Sequence, residues 1–184
     1  MDTITVRKQT DGRAIRSGGL QVSGRAEELA KRIERGATQL AAFAEELTEA
    51  EWRTRVPESG EPGRSVGVIV HHVASVYPIE IELAQIIAGG RPVTDVSWDV
   101  VAKLNAEHAE QHEKVTQTAA IELLLENSRA AAAAVRAFTD AELDRAAPFS
   151  LCDGAPVTAQ FVIEDHALRH SWHHLAGIQA ALKS

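Results

Sequence analysis

Helical periodicity constrains this chain more than any other feature. Leu29, Ile33, Leu40, Phe43 and Leu47 recur at spacings of three, four and seven, which stacks them on one face of a helix. No segment shows the sustained alternation of β-branched residues that marks a half-buried strand. The expectation is therefore an all-α fold with no sheet.

The helices can be bounded by their punctuation. The first begins near Ser23, and a capping box of Thr48 and Glu51 starts a short new turn carrying Trp52. Pro57, Gly60, Pro62 and Gly63 read as a loop. A second long helix spans about Ser65 to Ala88, closed by Gly89 and Gly90. It is apolar on more than one side, so it should be largely buried, with a kink at Pro78. Val96 to His112 reads as a more polar helix and Thr118 to Phe138 as a third long one. Thr139 and Glu142 form another capping box, Pro148 to Pro156 reads as loop, and Thr158 caps a last helix running to Leu182. Four principal helices with an extra one between the second and third predict a four-helix bundle over residues 23–184. Residues 1–22, polar and glycine-containing, read as an irregular arm suited to contact another subunit.

Composition narrows the function classes. At 184 residues the chain is long enough for a self-sufficient core. One cysteine, Cys152, excludes an internal disulfide framework and a cysteine-based zinc finger. A net charge of −7 argues against a nucleic-acid partner, which a basic face would serve. No apolar run approaches the roughly 20 residues of a membrane span, and the start lacks the apolar stretch of a signal peptide. A cytoplasmic protein without nucleic-acid or membrane partners is expected.

Eight histidines against one cysteine are the compositional oddity. On the last helix Phe161, Leu168, Leu175 and Leu182 form the expected core stripe, with Trp172 beside it. His170 and His174 lie on its flank, four residues apart, and so project from one face. Two neutral imidazoles so placed can share one metal ion. On the second helix His72 shares its side with Val68, Val76, Ile79 and Leu83, whereas His71 lies in a polar sector. His72 is therefore the better inward-pointing ligand. His166 and His173 fall opposite the leucines and read as exposed. His108 and His112 form a second pair four apart, on what reads as a solvated face, or as substrate contacts or extra ligands at a pocket mouth. Glu80, Glu164 and Asp165 are candidates to orient a ligand histidine. Cys152, beside Asp153 in a loop, reads as an incidental thiol.

The stretch Arg64-Ser-Val-Gly-Val-Ile-Val-His-His-Val-Ala resembles the second-helix motif of the DinB-like (YfiT-like) superfamily, and His170-Ser-Trp-His-His-Leu-Ala-Gly-Ile-Gln resembles its last-helix motif. Phe138-Thr-Asp-Ala-Glu-Leu-Asp-Arg and Leu47-Thr-Glu-Ala-Glu-Trp are similar to the family's third- and first-helix ends. The resemblance covers about Ser23 to Leu182. It departs from the pattern at Arg64, where a tryptophan is common, and in its extra histidines, which leave His166 with His170 as an alternative pair. It implies a DinB/YfiT-like four-helix bundle, commonly a homodimer, holding one divalent metal through three histidines, here His72, His170 and His174. Zn²⁺ is the expected ion, with Ni²⁺, Mn²⁺ or Fe²⁺ as alternatives. Members of known activity include mycothiol-dependent maleylpyruvate isomerase and bacillithiol S-transferases.

The expected function is thus metal-dependent activation of a low-molecular-weight thiol, such as mycothiol or bacillithiol, or of water. The activated group would be transferred to a small electrophilic substrate or would isomerise it. The alternative is a non-catalytic, stress-associated dimeric binding module whose metal is structural or vestigial.

Overall fold

Among the described residues, every α-helix that starts from non-helical chain starts at a serine or threonine whose hydroxyl accepts a backbone N–H three residues on. In this computed structural model, which describes residues 23–58 and 61–183, Ser23 caps α1 (Gly24–Glu45) and Thr48 caps α2 (Glu49–Arg53). Ser65 caps α3 (Val66–Ala88), Ser97 caps α4 (Trp98–Gln111) and Thr116 caps α5 (Gln117–Arg136). Thr139 caps α6 (Asp140–Leu143) and Thr158 caps α7 (Ala159–Val162). Each cap satisfies a donor that the first helical turn leaves without a partner. At Thr48 and Thr139 the Glu at the third helical position reaches back to complete the box. The expected arm, residues 1–22, lies outside the described residues.

The protein is an all-α four-helix bundle with an additional helix, α4, between the second and third principal helices. α5 packs on both α1 and α3, and the last helix packs on both α3 and α1. The ring order is therefore α1, α5, α3, last helix, which sets α1 and α3 across the bundle from each other. α1 and α5 both bury alanines, Ala30, Ala37 and Ala41 on the first and Ala120, Ala131 and Ala132 on the second. Small side chains let the two backbones approach closely. Arg136 of α5 fastens the same pair, donating to both carboxylate oxygens of Glu34 at 2.8 Å and to Glu27 at 2.9 Å.

Two short ribbons interrupt the helical chain where loops were expected. β1 (Arg55–Glu58) pairs antiparallel with β2 (Glu61–Ser65), and β3 (Ala146–Pro148) pairs with β4 (Pro156–Thr158). Strands of three to five residues containing Pro57, Pro62, Pro148 and Pro156 are too short and too irregular to show alternation. Their role is local: β2 ends on Ser65 and β4 on Thr158, so each ribbon delivers the cap of a helix that carries histidines.

α3 is the central helix. Its 23 residues are long and apolar enough, by length and composition, to cross a bilayer, which corrects the expectation that no segment approaches that size. Here Val66, Val70, Val73, Tyr77, Ile81 and Ala84 are buried against the rest of the bundle. Pro78 sits inside the helix and has no N–H to give Ala74. Asn127 of α5 supplies the missing donor, its Nδ2 lying 2.9 Å from the Ala74 carbonyl.

The last helix is not a continuous α-helix. α7 runs into a π-helical stretch, Ile163–Leu168, and then into α8 (Arg169–Ala181). A π turn takes up more residues than an α turn, so the faces rotate relative to a regular wheel. That rotation overturns part of the expected core stripe. Leu168 and Leu175 are buried, but Phe161 is 41% and Trp172 39% exposed. The buried line runs instead through Ile163, Ala167, Ser171, Leu175 and Ile178. Trp172 lies over α1 at Gly36, where a Cβ would come within 2.9 Å of its indole nitrogen.

Candidate metal centre

Two helices aim histidines at one point. His72, on the buried α3, is only 5% exposed. His170 and His174, one turn apart on α8, face it, with ring centroids 5.0 and 5.7 Å from that of His72. One ring nitrogen from each of the three lies within 4.8 Å of the other two. Glu80, two turns beyond His72 on α3 and 5% exposed, accepts a hydrogen bond of 2.6 Å from His170 Nδ1. A carboxylate only accepts, so Nδ1 carries the proton and Nε2 is left with its lone pair. The other oxygen of Glu80 is buried and has no hydrogen-bond partner. Between these groups Tyr77 of α3 meets Ser171 of α8, their oxygens 2.7 Å apart, which fixes the two helices to each other at the level of the site.

Burial sets the protonation of the cluster. It holds the His72 imidazole far below the usual histidine range, with the neighbouring His170 and Arg64 acting in the same direction. It pushes His174 down to about 2. Both rings are therefore neutral near pH 7, the form that donates a lone pair to a cation.

The cluster forms part of the wall of a cavity of about 450 Å³. Leu83, Val96 and Val101 give the cavity an apolar side, and the exposed Trp98 and Leu104 of α4 stand at it with Ile79 of α3. Arg64 and Arg169 line it as well. His166, expected to be exposed, is half-buried and lines the same cavity, its ring edge-on to Phe149. The π turn that carries it accounts for the inward rotation. His166 is not among the three converging rings. His173 is exposed and stands beside His174 at the cavity.

Of the three carboxylates considered as orienting groups, Glu80 alone hydrogen-bonds to a histidine of the cluster. Glu164 pairs with Arg32 at 3.3 Å and Asp165 with Arg169 at 3.4 Å. The Cys152 thiol is half-buried, and burial together with Asp165 and Asp153 raises its pKa, which disfavours the thiolate.

A second grouping joins His71 to the pair that the sequence offered as extra ligands at a pocket mouth. His71, His108 and His112 also bring one ring nitrogen each within 4.8 Å of the others. The spacing of His108 and His112 was visible, but their partner on α3 depends on how α4 packs. His71 is half-buried where it meets His108 of α4, whereas Pro78, Glu82 and Gln85 of the same sector are exposed. Burial and the neighbouring His112 push both His71 and His108 down to about 4.

The donor set of His72, His170 and His174 fits a divalent transition metal. The three imidazoles are held close together, two are kept neutral, and the third is oriented by a buried carboxylate.

The model of the DinB superfamily matches residues 32–178. No curated protein sequence matches the chain. Among solved structures, YfiT from Bacillus subtilis, described as a probable metal-dependent hydrolase with an unusual four-helix bundle topology, aligns with a TM-score of 0.69 at 18% identity over 90% of each chain. The colibactin self-resistance protein ClbS, in complex with a dsDNA, aligns with a TM-score of 0.65 at 17% identity, over 90% of this chain and 99% of that one. A mycothiol-dependent maleylpyruvate isomerase aligns with a TM-score of 0.61 at 15% identity, over 83% of this chain and 60% of that one. At these identities the likeness is one of fold. It nevertheless overturns the exclusion of nucleic acid drawn from net charge, because a protein with this fold occurs in a complex with dsDNA. Net charge averages over the whole surface, whereas binding depends on a local one.

Proposed function

Because this chain belongs to the DinB superfamily, we propose that it is a metal-dependent enzyme that activates a low-molecular-weight thiol, or water, against a small electrophilic substrate. The observation that carries this reading is the convergence of His72, His170 and His174 in the wall of a cavity, with Glu80 behind His170. Three protein ligands leave coordination positions open, as in catalytic and not in closed structural sites. A divalent ion held there, Zn²⁺ by the donor set, would supply Lewis acidity and lower the pKa of a thiol or water it binds.

The chain's own residues do the remaining work. Glu80 fixes the tautomer and orientation of His170. Tyr77 and Ser171 fix the register between the two ligand-bearing helices. The apolar side of the cavity excludes water from part of the substrate, and Arg64 and Arg169 place positive charge where an anionic group would sit. The Cys152 thiolate is disfavoured and Cys152 does not line the cavity, so a thiol would arrive as a small molecule such as mycothiol or bacillithiol. The homodimer expected from the resemblance belongs to the same proposal, and light scattering checks it.

The test is metal content after purification without a histidine tag, in wild type and in a His72→Ala/His174→Ala variant. Loss of one equivalent of metal in the variant is expected, and unchanged retention would refute the assignment. Chelation should abolish turnover while leaving the far-ultraviolet helix signal intact, because none of the buried apolar core residues lines the cavity. A non-catalytic structural metal would instead take the fold with it. Thiol-dependent turnover of electrophiles, set against hydrolysis without thiol, separates the two chemistries.

A further inference from the structure

We propose that His71, His108 and His112 form a second transition-metal site that ties α4 to α3 beside the cavity. The proposal does not rest on the role assigned to the first cluster. His71 comes from α3, His108 from α4, and His112 from the residue that ends α4. His71 Nδ1 lies 2.9 Å from His108 Nε2. The His71 and His112 rings stack at 3.9 Å between centroids, and the His108 and His112 rings lie 4.5 Å apart.

Three imidazoles in mutual contact are an unusual way to fasten a helix. Among the described residues no carboxylate hydrogen-bonds to any of them, and His108 Nδ1 is buried without a partner. α4 needs a fastening, because it contributes no buried residue to the core and leaves Trp98 62% exposed. An ion at about 2.0–2.1 Å from each nitrogen requires donors no more than about 4.2 Å apart. The three lie within 4.8 Å, so small ring rotations bring them into range. Half-exposed rings can make that adjustment more easily than the buried His72. An all-imidazole donor set selects Zn²⁺, Cu²⁺, Ni²⁺ or Co²⁺ over Mg²⁺ and Ca²⁺, which take oxygen ligands.

The two clusters are neighbours. His71 and His72 are consecutive, and the His72 ring meets the His108 ring edge-on at 5.6 Å. Metal at the second site would therefore steady the α4 side of the cavity into which the first cluster faces.

Untagged protein stripped of metal and titrated with Zn²⁺, with bound metal measured by elemental analysis, tests this. Wild type should take up two equivalents. His108→Ala/His112→Ala and His170→Ala/His174→Ala should each take up one, and the fourfold variant none. Co²⁺ added to His170→Ala/His174→Ala should give visible bands that disappear when His112→Ala is added. Zn²⁺ should slow proteolysis within α4 of that same double variant at least tenfold. One equivalent in wild type that His108→Ala/His112→Ala does not change would overturn the proposal, as would an absence of Co²⁺ bands and of α4 protection in a folded His170→Ala/His174→Ala protein. Failure of the first site alone would appear differently, as an equivalent lost with His108 and His112 but not with His170 and His174.

Discussion

Replacing Glu80 with glutamine preserves side-chain shape and removes one buried charge. In the parent the carboxylate accepts a 2.6 Å bond from His170 Nδ1, and hydrogen bonds to a charged group contribute about 1.5–3 kcal/mol against about 1 for a neutral pair. Its second oxygen already has no partner, so a buried amide there exchanges one unpaired group for another. The metal-free protein should lose only about 1 kcal/mol, or about 2–4 °C in Tm at this chain length. The bound state loses more, because the carboxylate also raises the basicity of the His170 Nε2 lone pair. Removing such a partner typically weakens metal binding by about 10–100-fold, equivalent to about 1.4–2.7 kcal/mol. Competition titration of Zn²⁺ against a chromophoric chelator measures this. The His108→Ala/His112→Ala background isolates the first cluster. A Kd for Glu80→Gln within twofold of its parent would refute the assignment of His170 as a carboxylate-oriented ligand.

Acid should destabilise the metal-free protein. Unfolded histidines protonate near pH 6.5, whereas burial holds His72 and His174 neutral in the fold, and His71 and His108 down to about 4. Below pH 6.5 the unfolded chain binds more protons, so stability falls with pH by up to about 1.4 kcal/mol per unit for each of the buried His72 and the half-buried His174. Denaturant midpoints at pH 7.5 and 5.5 check the sign, and an equal or higher midpoint at 5.5 would contradict it. Gly67→Ala places a Cβ within 2.6 Å of the Trp52 indole, whose nitrogen donates to the Val115 carbonyl at 3.1 Å. Overpacking together with the lost bond should cost about 2–4 kcal/mol, or about 5–15 °C in a thermal melt. A shift below about 2 °C would show that the indole moves freely. Asn127→Ala leaves the buried Ala74 carbonyl without its side-chain donor and should cost about 1–3 kcal/mol. In a Pro78→Ala background residue 78 regains an N–H for that carbonyl, so a double-mutant cycle should show the cost shrinking, and simple additivity would refute the compensation.

The helices were legible because their signals are local. Ser23, Ser65 and Thr158 act as caps through bonds spanning three residues, and the stripe from Leu29 to Leu40 lies on a face that a regular wheel predicts. The errors have local causes as well. The wheel failed at Phe161 because the π stretch Ile163–Leu168 shifts its register against α8, and nothing in that stretch announces a longer turn, whereas Trp172 falls to one side of the buried line through Ser171, Leu175 and Ile178. The ribbons at Arg55–Glu58 and Ala146–Pro148 were missed because such short strands are held by their partners and not by their own pattern.

For the candidate site, sequence alone determined directions. A four-residue spacing placed His170 and His174 on one face, and apolar neighbours turned His72 inward, since side-chain direction follows from position on a helix. Which faces meet was decided only by the tertiary structure. Ring packing of the helices brought His72 to His170 and His174, set Glu80 behind His170, and docked α4 so that His108 and His112 found His71. Contacts of this kind span up to 102 residues between His72 and His174. They depend on the summed burial of the whole core, which no local pattern records.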